Sequence, residues 1–359
     1  MEKSLTKQRP GPKKFIIGAV ICVLLIGVSV GVYYGAVGNN ESGSMSSGGG
    51  NSPTSAGPSP TNDDPVDDNS ESSSNTQVGC IKTPVEASTP KFQYQSIQII
   101  EDVNYGKGVV NKGEIELLLD VYHPPNQDKK YPLMIHIHGG SFTSGSKSDG
   151  YMRSASEFWA QHGFVVASID YRLAGDSPVV SREMEPVYEY VVENLNEVLK
   201  SDQQAQAATC AVEDTLAAYN YLKNLEYVNG DVVVMNGYSA GAITALWATY
   251  GVDNFNIDRP PVKAVLSHWG LLVMDQDETN AMVPKKNEPP AFLVHATGDS
   301  VVPYDGTQYL ANRQHSINMP FVLHCEESGS HAIEIEKTTH TGDMSILDAE
   351  LAWIESILY

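Results

Sequence analysis

Four groups of residues carry types and spacings that could do nucleophilic chemistry on a carbonyl. Gly237-Tyr238-Ser239-Ala240-Gly241 has the G-x-S-x-G pattern, which in a strand-turn-helix context exposes a serine hydroxyl at the carboxyl end of a sheet. A serine at its free pKa is a weak nucleophile, so it needs a base within hydrogen-bond reach and an acid to orient that base. His331, in GSHAIEI, lies six residues past the apolar run FVLHC. It is the first choice for the base, with His340 in a later Thr-rich loop as runner-up and His324 read as packed inside the strand. Asp299, in HATGDSVVP, ends the preceding run and is the candidate acid, whereas Asp305 reads as the N-cap of the next helix. The oxyanion formed by attack also needs fixed donors. His138-Gly139-Gly140-Ser141-Phe142 can supply them through the backbone N–H groups of Gly140 and Ser141, with a third from Ala240 beside the nucleophile.

These residues require a scaffold that brings strand ends together. From residue 92 the chain alternates apolar runs with helical patterns, which implies an α/β sheet. QYQSIQIIEDV and EIELLLDVYHP read as an antiparallel edge pair turning at 111–113. The runs PLMIHIH, FVVASIDYRL, DVVVM, AVLSHWG, AFLVHAT and FVLHC read as mostly parallel central strands, and continuous apolar runs are what strands covered on both faces require. Helices are expected near 151–162, over 199–226, after Ser239, and at ILDAELAWIESIL. Ligands in such sheets bind beyond the carboxyl ends of the strands, where Ser239 would sit.

As a set, HIHGGSF, ASIDYRLA, AVEDTLAAYNYL, NGYSAG, HATGDSVVP and GSH resemble the α/β-hydrolase fold serine esterases of the carboxylesterase, acetyl-esterase and lipase branch. The resemblance covers roughly residues 92–359. It implies an α/β-hydrolase fold with helices on both faces of the sheet. It further implies ester hydrolysis through an acyl-enzyme, with Ser239, Asp299 and His331 at the triad positions in the family's chain order. Ser141 stands where relatives often have a third glycine, and Ala242 where many have glycine; the first substitution puts the approach of a bulky substrate in doubt. No cofactor is implied. His136 and His138 share a strand face without further ligands at metal spacing, so no metal site is expected, and His138 is read as holding the oxyanion loop.

The rest of the chain sets the context. Residues 15–37 carry no charge over 23 positions, long enough as a helix to cross a hydrocarbon core of about 30 Å. Five basic residues precede the span, so the positive-inside rule places a basic tail, 1–14, in the cytosol and the rest of the chain outside it, lumenal or at the cell surface. The competing reading is a cleaved signal peptide and secretion, since Ala36-Val37-Gly38 suits a peptidase. Gly27, Gly31 and Gly35 form a small-residue face on which two spans could pair as a homodimer. Residues 38–77, rich in Ser, Gly, Pro, Asn and Asp, cannot bury enough to order and read as a disordered linker with one sequon at Asn40; the catalytic domain is 78–359. The net charge is −21, and the part beyond residue 37 holds 18 basic against 43 acidic residues, which excludes a nucleic-acid partner and leaves a small ester as the expected one.

Of the four cysteines, Cys22 lies in the span; Cys80 is matched with Cys210 as a disulfide, with Cys325 a buried thiol. Gly175 to Lys200 and Leu271 to Pro290 are candidate lids. Two other functions stay open: a serine peptidase of the prolyl-oligopeptidase type, for whose β-rich gating domain there is little room, and a non-catalytic adhesion or binding protein on the same fold.

Overall fold

Strands β1 (Gln98–Val110) and β2 (Gly113–His123) pair antiparallel across the two residues 111–112, as the edge-pair reading expects. The computed structural model describes residues 78–125, 129–194, 198–272, 284–327 and 329–359. The basic tail, the apolar span, the linker and the sequon lie outside the described residues, as does most of the second candidate lid. Among the described residues no helix is long and apolar enough to cross a membrane.

Beyond the edge pair come β3 (Tyr131–Ile137), β4 (Val165–Ile169), β5 (Val228–Tyr238), β6 (Val262–His268), β7 (Ala291–Ala296) and β8 (Phe321–Glu326). They build one eight-stranded sheet in the order β1-β2-β4-β3-β5-β6-β7-β8, in which only β2 runs against the rest. A separate two-stranded ribbon joins β9 (Thr339–Thr341) to β10 (Met344–Ser345).

The central strands are buried on both faces, and alternate side chains enter two different cores. Leu133, Ile135, Val165, Val233, Met235 and Leu293 pack with α2 (Glu185–Asn194), α3 (Asp202–Leu222), α4 (Ala240–Tyr250) and α5 (Tyr304–Ser316). Met134, Val166, Val234, Leu266 and Phe292 pack with α1 (Gly150–Gln161) and α6 (Ile346–Leu358). This explains the unbroken apolar runs: apart from residues near strand ends, such as Asp231 and Lys263, both faces of β3 to β8 are covered.

Two readings are corrected. The disulfide joins Cys80 to Cys325, Cα atoms 5.2 Å apart, and Cys210 is free and buried. The reason is edge pairing. Residues 81–83 lie antiparallel along the outer edge of β8, with Thr83 N–H donating to Leu323 O at 2.8 Å and Cys325 N–H to Ile81 O at 2.9 Å, so Cys80 meets the strand and not helix α3. Cys210 instead faces the core, where burial pushes its thiol up to about 12. Asp305 is not an N-cap: α5 begins at Tyr304 after Pro303, and Asp305 sits in its first turn, where a carboxylate still favours the helix dipole. The candidate lid Gly175 to Lys200, where described, does reach the site: Val198 and Leu199 line the cleft beside Ser239. It carries α2, whose Val187 and Val191 are buried in the core.

Candidate active site

Ser239 lies between β5 and α4 with φ 54° and ψ −118°, a conformation that costs a non-glycine residue roughly 1–3 kcal/mol and persists only where the surroundings impose it. Two glycines permit the turn. A Cβ on Gly237 would lie 2.1 Å from Gly241 O, and one on Gly241 would lie 2.0 Å from Ile137 O, so strand β3, the turn and helix α4 approach backbone to backbone. The G-x-S-x-G spacing is thus a packing requirement, and the hydroxyl it presents is at the carboxyl end of the sheet.

The structure brings the three predicted polar residues together. His331, on the loop after β8, has Nε2 2.8 Å from Ser239 Oγ and Nδ1 2.7 Å from Asp299 Oδ2. A carboxylate can only accept, so Nδ1 carries the proton, and Nε2 presents its lone pair to the serine hydroxyl. His340 and His324 are elsewhere, bonded to each other at 2.9 Å through their Nδ1 atoms, beside the residues that cover β8.

Asp299 is more heavily anchored than its position alone suggests. Burial works to raise its pKa, but donation from His295 and His331 to Oδ2 and from the Val302 and Val301 N–H groups to Oδ1 holds the carboxyl well below the ordinary range. His295, four residues earlier on β7 and fully buried, is a site residue that the sequence does not mark. Its histidine type is visible there, but only the return of the chain after Gly298 shows that its Nε2 reaches the same carboxylate at 3.1 Å.

The oxyanion candidates are set by peptide planarity, because fixing one carbonyl fixes the N–H opposite it. His138 Nδ1 donates to Gly139 O at 2.6 Å, which orients the Gly140 N–H. Thr143 and Ser144 N–H both donate to Gly140 O, at 2.9 and 3.1 Å, which orients the Ser141 N–H. The N–H groups of Gly140, Ser141 and Ala240 have no acceptor among the described residues. Gly140 has φ 110°, and a Cβ there would lie 2.1 Å from Ser144 O. Ser141 tolerates φ 53° with its carbonyl held by Gln204 Nε2 at 2.9 Å. Gly140→Ala is therefore expected to displace two of the three donors and lower kcat by about 10²- to 10³-fold with the fold retained, checked by steady-state kinetics beside a thermal melt.

A small cleft opens at Ser239 and is lined by Phe142, Leu199, Ile243, Val301 and Val302 on its apolar side and by Ser141 and Gln204 on its polar side. Among the described residues no cluster of His, Cys, Asp and Glu could hold a metal ion.

The fold as a whole is similar to that of known proteins. The structure superposes on esterase 2 of Thermogutta terrifontis in its propionate-bound form with TM-score 0.51 and 17% identity, over 72% of this chain and 93% of that one. The apo form of the same enzyme gives 0.51 and 18%, over 72% and 94%. The chain has the α/β-hydrolase fold. Within it, the BD-FAE family model matches residues 119–204, from β2 through the His138–Phe142 loop to the start of α3, ending before Ser239. In sequence, 159 residues are 29% identical to dipeptidyl-peptidase 5 of Aspergillus fumigatus, and 159 residues are 27% identical to a non-reducing polyketide synthase of Stereocaulon alpinum. The aligned parts make up 43% and 44% of this chain, but only 19% and 6% of those proteins. The chain therefore matches only a small part of the length of either relative.

Proposed function

We propose that this α/β-hydrolase is a serine esterase that cleaves carboxylic esters through an acyl-enzyme. The observation that carries the reading is the continuous relay from Ser239 Oγ to His331 to Asp299, at 2.8 and 2.7 Å, on a strained turn whose cleft Ser141 and Ala240 also line. Ser239 Oγ attacks the ester carbonyl while His331 Nε2 takes its proton, and Asp299 stabilises the imidazolium. The Gly140, Ser141 and Ala240 N–H groups receive the developing oxyanion. His331 then protonates the departing alkoxide and, in the second half, activates water to release the acid.

The small cleft and its valine, leucine and isoleucine walls support short acyl groups, as does the fold's likeness to an esterase solved with propionate bound. Across p-nitrophenyl esters from acetate to palmitate, kcat/KM is expected to peak at about two to four acyl carbons and to fall beyond about eight, since each extra methylene then has no wall to bury against. A rate that rises steadily to palmitate would contradict this.

The identity to a dipeptidyl-peptidase supports one second reading, amide cleavage by the same residues. Release of p-nitroaniline from dipeptide anilides at a rate comparable with ester cleavage would favour it. The uncharged stretch 15–37 and the Cys80–Cys325 disulfide, a bond of oxidising compartments, support a membrane-tethered enzyme with residues 78–359 outside the cytosol. Secretion after cleavage near residue 37 remains the alternative. Carbonate extraction of membranes tests it: a tethered chain stays in the pellet.

A further inference from the structure

Beneath the nucleophile turn, on the face covered by α1 and α6, lies a second histidine–carboxylate pair that the relay above does not use. His268, the last residue of β6, and Glu350 on α6 are both fully buried, with Nε2 2.6 Å from Oε1. His268 Nδ1 is 3.0 Å from Gly237 O. That carbonyl can only accept, so Nδ1 carries a proton and the His268–Glu350 contact is closed by one more proton shared between Nε2 and Oε1. The backbone carbonyl of His268 accepts the Ser239 N–H at 2.9 Å. Between these two bonds the Tyr238 ring stacks on the imidazole, centroids 4.4 Å apart and planes 11° from parallel.

One residue thus grips the peptide groups on either side of Tyr238, immediately before the strained Ser239. A buried charged or hydrogen-bonded pair in an apolar layer has a desolvation cost that packed hydrophobic residues would avoid, and Glu350 Oε2 has no partner among the described residues. Packing alone does not account for such a pair.

We propose that His268 and Glu350 form a buried positioning pair that holds the nucleophile turn: Glu350 fixes the imidazole plane, and the imidazole fixes Gly237 and, through it, the direction of Ser239 Oγ. The proposal rests on the reading of Ser239 as the nucleophile. It concerns orientation, so it predicts a loss in kcat with little change in KM.

Two substitutions separate positioning from stability. In His268→Asn the amide nitrogen takes the place of Nδ1 and keeps the bond to Gly237 O, leaving Glu350 unpaired. In His268→Gln the amide reaches Glu350 and leaves Gly237 O without its donor. Positioning predicts that Asn exceeds Gln by about tenfold or more, both in kcat for p-nitrophenyl acetate and in the rate of serine labelling by a fluorophosphonate, since misplacing a reacting atom by an ångström can cost about 10²-fold. A stability role predicts the opposite order, because Gln keeps the buried carboxylate paired. Activity that follows the melting temperatures, Gln at or above Asn, overturns the proposal. Should neither variant fold, Glu350→Leu is expected to lower labelling at least tenfold and Glu350→Gln, whose amide can donate to Nε2, to restore it; wild-type labelling in the leucine variant overturns the proposal. A wild-type protein that is neither labelled nor active would instead remove the nucleophile reading, and the proposal with it.

Discussion

Replacing Ser239 with alanine is expected to lower kcat for p-nitrophenyl acetate by about 10⁴- to 10⁶-fold. Alanine removes the only atom that can bond to the acyl carbon, and His331 Nε2 is left without the hydroxyl it accepts from at 2.8 Å. The Gly140, Ser141 and Ala240 donors and the apolar cleft survive, so a residual rate above water is expected from oxyanion binding alone. The fold should persist. Alanine has no greater difficulty than serine at φ 54°, and the packing of Gly237 and Gly241 around the turn does not involve the hydroxyl. Activity within tenfold of wild type, in a protein free of contaminating esterase, would mean that the chemistry lies elsewhere.

Asp299→Asn is expected to cost about 10⁴-fold in kcat. Val301 and Val302 N–H donate to Oδ1, which dictates that asparagine keep its oxygen there. Its NH₂ group must then occupy the Oδ2 position, facing His331 and His295. The amide donates to His331 Nδ1, the imidazole proton moves to Nε2, and the base now points a donor at Ser239. Geometry is kept while the tautomer is wrong. The depressed pKa of Asp299 gives a second signature. A carboxyl held below its ordinary range adds stability that is fully present above that range and is lost as pH falls through it toward the folded value. The asparagine variant has no such contribution to lose, so its melting temperature should fall less steeply than that of wild type below about pH 4. In wild type Asp299 is already ionised there, so an acid limb in kcat/KM belongs to another group. A variant with near-normal kcat would contradict the relay.

How much of this is legible in the sequence depends on the range of the contacts. The G-x-S-x-G turn, β3 to β8 and α6 are written in short local patterns, and the rule that sites gather at strand ends selects Asp299 and His331 over the competing polar residues of the same loops. The pairing of Cys80 escapes such patterns because β8 is an edge whose outer partner, residues 81–83, lies far away in the chain and has no strand signature of its own. Helix α2 escapes them because EPVYEYVVEN, inside the candidate lid, mixes glutamates with valines; Val187 and Val191 show its buried stripe only once α3 lies beside it. His268 and Glu350 sit in largely apolar runs, AVLSHWG and ILDAELAW, and are 82 residues apart, so nothing local marks them as partners. Polar residues inside apolar runs are the available signal.

The most direct test of the central claim is to incubate the purified protein with a fluorophosphonate and locate the adduct by peptide mass spectrometry. The account predicts one stoichiometric adduct on Ser239, abolished by Ser239→Ala and slowed by Asp299→Asn. An adduct on another residue, or an unmodified peptide spanning 236–247 in a folded protein, would contradict it.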